Sequence, residues 1–106
     1  MEQMAESLNF IPMNRIQVQN AERFAAELRE RLKDRLAGAE VNILASGISV
    51  LTPVDSREEA ATATATVRDC VRGVNQAFAL DPLDEGRRSG IVPEGTITEE
   101  YHEVAT

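Results

Sequence analysis

Two segments of the chain repeat apolar residues at the spacing of an α-helix. In the first segment they fall within an arc of about 120°, which is the stripe of a helix that lies on a core. Asn20 is an acceptable N-cap, and Gly38 stands where a left-handed residue ends a helix. We therefore predict a first helix over residues 21–37, with the apolar stripe Ala21, Phe24, Ala25, Leu28, Leu32 and Leu36.

The second segment contains AATATATV (60–67), whose period of two is also typical of a strand. Ser56 and Glu59 have the spacing of a capping box, which favours a helix that begins just after Ser56. The helical register also gathers the apolar residues of the segment on one side. We predict a second helix over residues 57–79, with the stripe Ala60, Ala63, Val67, Cys70, Val71, Val74, Ala77 and Phe78.

Shorter segments predict strands. EVNILA (40–45) and ISVLT (48–52) flank Ser46 and Gly47, which predicts a tight hairpin, and Pro53 is expected to end its second strand. NRIQVQ (14–19) alternates apolar and polar residues and predicts a half-buried strand. GTITEE (95–100) is a weak candidate for a last strand.

The element order β-α-β-β-α(-β) predicts an α+β fold of the ferredoxin-like type, a sandwich with two helices on one face of an antiparallel sheet. The expected organisation is an N-terminal extension (1–13), an α+β domain (14–80) and an acidic C-terminal arm (81–106) that includes the candidate strand. The second face of the sheet would be open for pairing.

This element order is similar to that of regulatory ligand-binding domains of the ACT type, and VNI at 41–43 resembles their second strand. The segment QNAER, between the first predicted strand and helix, lacks the Gly that those domains keep there. The resemblance implies an alternative function, a small-molecule-binding regulatory domain that dimerises through its sheet, and it implies no binding residue.

The charge of the chain narrows the choice of partner. Its 18 acidic and 11 basic residues give a net charge of −7, opposite to what a nucleic-acid backbone attracts. No stretch approaches the roughly 18 apolar residues of a membrane span, and the first residues lack the pattern of a secretory signal. We expect no nucleic-acid or membrane partner, and a cytoplasmic location or one inside a particle assembled in the cytoplasm.

Catalytic chemistry has few candidate residues. Cys70 and His102 are the only Cys and the only His, so neither a cysteine zinc site nor a histidine-based triad can be assembled. Cys70 lies on the apolar stripe of the second helix and is expected to act as a small hydrophobe. We expect no cofactor, no metal and no catalytic residues, although a mechanism based on carboxylates alone needs no motif.

Several residues are candidates for an interface rather than for catalysis. Arg35 falls inside the apolar stripe of the first helix, where it either extends its stem to water or forms an ion pair across an interface or with the acidic arm. A smooth outer strip on the second helix, beside Asp69 and Gln76, is either solvated or a contact surface; it consists of Thr62, Thr66 and Gly73. The acidic arm adds Arg87, Arg88, Tyr101 and His102.

These features predict a non-catalytic structural or adaptor subunit of a larger assembly. Virion connector or tail components and accessory subunits of multi-subunit enzymes share this plan, a small domain with terminal extensions. The expected partners are other protein subunits in a homo- or hetero-oligomer, bound through the two extensions.

Overall fold

One antiparallel sheet organises the chain in a computed structural model that describes residues 5–13, 21–79 and 94–103. The strands within those residues are β1 (Ala5–Pro12), β2 (Glu40–Leu44), β3 (Gly47–Val54) and β4 (Thr98–Glu103). They lie in the order β2-β3-β1-β4, and each neighbouring pair is antiparallel. The predicted α+β class is confirmed.

Two helices cover one face of this sheet, α1 (Ala21–Leu32) and α2 (Arg57–Ala79). Helix α2 has the predicted bounds, and its start is capped because the amide of Glu59 donates to Ser56 Oγ at 3.1 Å. Helix α1 begins as predicted but ends at Leu32, five residues early, and the chain continues in turns. Gly38 has a left-handed conformation, with φ of 80°, but it does not end the helix as predicted, because α1 ends at Leu32.

The first strand differs from the prediction. Residues 14–19, predicted as a strand, lie outside the described residues. The structure instead places Ala5–Pro12, within the segment predicted as an extension, at the centre of the sheet between β3 and β4. The alternation of this segment is unusual because its polar residues Ser7 and Asn9 face the helices and are buried, whereas Leu8 and Phe10 face the other way.

The C-terminal arm also contributes to the sheet. Its strand β4 covers Thr98–Glu103, three residues further along than the weak candidate at 95–100, and a short 3-10 turn at Glu94–Thr96 precedes it. Six residue pairs join β4 to β1. Parts of both terminal segments are therefore integral to the fold.

The hairpin between β2 and β3 turns at Ala45 and Ser46, one residue earlier than predicted, and Gly47 is the first residue of β3. A Cβ at position 47 would lie 2.2 Å from the carbonyl oxygen of Ile11. Close packing against β1, and not a turn conformation, therefore requires glycine here. Pro53 does not end β3 as predicted, since the strand continues to Val54. Position 53 lies beyond Leu51, the last residue of β3 that pairs with β2, so a proline there removes no hydrogen bond between these two strands.

A polar layer lies between two apolar clusters under the helices. The larger cluster includes Phe24 and Leu28 of α1. The smaller one includes Val54 at the end of β3 and Ala63 near the start of α2. The layer consists of the buried polar residues Ser7, Asn9, Thr52 and Thr64. Within it, Asn9 Nδ2 donates to Thr64 Oγ1 at 2.9 Å, a bond that joins β1 to α2.

We predict that Thr64→Val destabilises the protein by about 1–3 kcal/mol, because it removes the nearer acceptor of the buried Asn9 amide and leaves the longer contact with the Thr98 carbonyl at 3.4 Å. The double variant Asn9→Leu with Thr64→Val is expected to recover much of this loss, because both polar groups are then replaced by apolar groups of similar shape. Urea unfolding measures both changes. Thr62→Val, on the exposed side of the same helix, is the control with a change within about 0.5 kcal/mol.

We also predict that Gly47→Ala destabilises the protein by about 1–3 kcal/mol, because the new methyl group must displace the backbone of Ile11. Gly95→Ala is the matched control, since a Cβ at position 95 meets no atom within 4 Å. Thermal or urea unfolding compares the two variants. Equal stability of the two would contradict the close approach of β3 to β1.

Candidate interaction surface

The face of the sheet that points away from the helices is the open face. It is formed by every second residue of each strand, and the register places Leu8 opposite Leu51 at its centre. Phe10 lies beside this pair, and its ring lies close to Gly47. Gly47 is buried on this face. The other residues of β1 and β3 on it are half-buried, and they are Glu6, Leu8, Phe10, Pro12, Ser49, Leu51 and Pro53.

The rim of the open face is polar on both edges. On β4 it carries Glu100 and His102, whose Oε1 and Nε2 atoms lie 2.9 Å apart. On β2 it carries Glu40 and Asn42, but also Leu44, whose exposed fraction of 44% is large for a leucine. An apolar centre with a polar rim is the arrangement of a protein–protein interface.

The burial pattern of β1 distinguishes this face from a solvated one. A strand in an antiparallel sheet with one wet face normally points its apolar side chains to the core and its polar ones to water. Strand β1 does the reverse at its centre, with Ser7 and Asn9 inward and Leu8 and Phe10 outward. The sequence does not single out Leu51, and the face to which the alternating segment SLNF (7–10) directs Leu8 and Phe10 depends on the packing.

Two of the predicted interface residues lie on neighbouring positions of β4 but on opposite faces. Tyr101 is half-buried on the helix side, where the Arg57 guanidinium lies 4.5 Å from its ring centroid. His102 is exposed on the open face. The predicted strip on α2 has its hydroxyl groups engaged, since Thr62 donates to the Glu58 carbonyl and Thr66 to the Thr62 carbonyl. Arg87 and Arg88 lie outside the described residues.

Arg35, the remaining predicted residue, lies on the helix side of the molecule. Its Nη1 atom donates to Asp69 Oδ2 of α2 at 2.6 Å and lies 3.6 Å from Cys70 Sγ. Arg35 thus forms an ion pair with an acid of α2, which is neither of the two pairs predicted for it, one across an interface and one with the acidic arm. Arg72 Nη1 approaches the other oxygen of Asp69 at 3.3 Å.

These contacts line a cleft of about 420 Å³ between the end of α1 and the middle of α2. The hydrogen bond and the charge of Arg35 hold the pKa of Asp69 below its usual range. Cys70, only 2% exposed, forms part of the core as expected for a small hydrophobe, and burial raises the pKa of its thiol. We call this cleft, lined by Arg31, Arg35, Asp69, Cys70, Arg72, Gly73 and Gln76, the helix cleft.

Residues 5–13, 21–79 and 94–103 contain no group of three His, Cys, Asp or Glu side chains arranged to hold a metal ion. None of the helices in those ranges is long and apolar enough to cross a membrane.

No protein-family model matches this chain, and comparison with curated proteins and with solved structures found no similar chain. The site must therefore be interpreted from its own residues.

The low pKa of Asp69 predicts how stability responds to acid. A carboxyl group whose pKa is lower in the folded state stabilises that state at pH values above its unfolded pKa of about 4. This stabilisation is lost as the pH falls through the pKa of the folded state. We expect the stability difference between wild type and Asp69→Asn to be constant near neutral pH and to shrink below about pH 4.

Urea unfolding at a series of pH values measures this difference. Arg35→Gln should reduce the acid dependence as Asp69→Asn does, and the double variant should add little to either change. Lys33→Gln, which removes a positive charge outside the cleft, is the control that keeps the wild-type profile. An unchanged acid dependence in Arg35→Gln would contradict the assigned pairing.

Proposed function

We propose that the chain is a non-catalytic structural or adaptor subunit that binds other protein subunits through the open face of its sheet. The reversed alternation of β1 is the observation that carries the proposal. It directs Leu8 and Phe10 away from the core, and a protein bound to this face would remove these half-buried side chains from water.

The terminal segments take part in this proposal in a particular way. The sequence predicts that other protein subunits bind through the two terminal extensions. In the structure their described parts are the strands β1 and β4, which supply Leu8, Phe10 and His102 to the open face. We therefore propose that the terminal segments contact other subunits as strands of the sheet, through the open face.

We also propose that the topology is of the ferredoxin-like type. The order β2-β3-β1-β4 supports this, because β3 lies between β1 and β2 and so splits the first β-α-β unit. Such a sheet has helices on one side only, which leaves its second face for association. Edge pairing is less favoured at β4, where the exposed charges of Glu99 and Glu103 on this edge strand discourage another strand.

We predict that Leu8→Asp and Leu51→Asp weaken assembly at least about tenfold, because each places a charge at the centre of an apolar contact. Both positions are half-exposed in the isolated subunit, so the variants are expected to fold. Ala26→Asp, on the exposed side of α1, is the matched control.

The measurement is the mass, by light scattering, of the tagged chain purified with its natural partners, and circular dichroism shows that each variant is folded. Wild type and Ala26→Asp should form a species larger than one chain, as a homo-oligomer or with partner subunits. A folded Leu8→Asp variant with wild-type assembly, or a wild-type chain that is a monomer without partners, would show the proposal to be wrong.

A further inference from the structure

The helix cleft concentrates positive charge on a protein whose net charge is −7. Three guanidinium groups line it, from Arg31 and Arg72 on the two helices and from Arg35 just after α1. Among the described residues that line it, Asp69 is the one carboxylate. The lining of the cleft thus carries a net charge of +2 when the Cys70 thiol is neutral.

Asp69 organises the cleft without filling it. One carboxylate oxygen accepts from Arg35 and the other approaches Arg72, so a single acid orients two guanidinium groups from different elements. Both contacts of Arg35 are made by Nη1, and a guanidinium group carries five N–H donors on three nitrogens. Donors of Arg35 therefore remain for a ligand.

Gly73 sets the position of the third guanidinium group. A Cβ at this position would lie 2.8 Å from Arg31 Nη1, so the Arg31 head group lies directly against the backbone of α2. Arg31 also pairs with Glu27, whose Oε1 atom lies 4.0 Å from Arg31 Nε, and both side chains are partly exposed. A larger residue at position 73 would displace the Arg31 head group from the cleft.

We propose that the helix cleft binds a phosphate group, held by Arg31 and Arg35 with Arg72 at the side. A phosphate dianion matches the net charge of the lining, and its several oxygens can accept from guanidinium groups that approach from different directions. The proposal is independent of the proposed function, because the cleft lies on the helix side of the sheet and the open face lies on the other. Ligand and partner could bind together.

The test is a titration of the purified chain with inorganic phosphate at constant ionic strength, maintained with chloride. Arginine side-chain NMR resonances report binding at the cleft, and the thermal unfolding midpoint reports the linked stabilisation. We expect a saturable response in wild type. Arg31→Gln should raise the dissociation constant at least about fivefold, whereas Lys33→Gln, which removes the same charge just after α1 and outside the cleft, should leave it unchanged.

Gly73→Ala separates binding from stability. Alanine is a better helix former than glycine, so the unfolding midpoint should rise, while phosphate binding should weaken because the methyl group displaces Arg31. A parallel titration with glycerol 3-phosphate distinguishes the two sources of the group, since tighter binding of the ester indicates a phosphate monoester ligand and equal or weaker binding indicates free phosphate.

Two results would overturn the proposal. A response that rises without saturation, and equally in wild type and Arg31→Gln, would be an effect of ions in general. An equal loss of affinity in Lys33→Gln and Arg31→Gln would mean that the general positive charge around the end of α1, and not the cleft, attracts phosphate.

Discussion

The structure depends on the pairing of β1 on both of its sides. Eight residue pairs join it to β3 and six join it to β4, so this strand alone connects the β2–β3 hairpin to the C-terminal strand. A two-stranded hairpin is marginal in water by itself. The close approach of Gly47 to the Ile11 carbonyl and the bond from Asn9 to Thr64 hold β1 against β3 and α2.

The same strand explains why the two faces of the sheet differ. Its inward residues Ser7 and Asn9 belong to a buried polar layer, and the cost of burying the Asn9 amide is reduced because Thr64 Oγ1 and the Thr98 carbonyl accept hydrogen bonds from it. Its outward residues Leu8 and Phe10 are apolar and stand on the open face. A core that accepts polar groups and a surface that presents apolar ones together favour a subunit that is completed by another protein.

The helix side has a different character. The helix cleft is polar and positively charged, and its three guanidinium groups are oriented by one carboxylate and one glycine. The apolar open face and the charged helix cleft therefore suit two kinds of partner, a protein and a small anion. Because the sheet lies between them, occupation of one leaves the other accessible.

The sequence by itself determined what depends on local physics. The apolar stripes at helical spacing located α1 and α2, and the pair Ser56 and Glu59 identified the start of α2, because capping and helical periodicity involve residues at most a few positions apart. The buried place of Cys70 followed from the same periodicity. Arg35 was singled out because its charge interrupted an apolar stripe.

Only the tertiary structure decided which strand is central, which face of it is inward, and which residues meet Arg35. Strand β1 is identified by partners more than 30 residues away, and period-two alternation is compatible with either face being buried. The sequence marks Gly73, beside Asp69, as part of a possible contact strip, but only the packing of α1 brings these residues and Arg72 together with Arg31 and Arg35. Long-range packing, which no local pattern encodes, therefore created both the open face and the helix cleft.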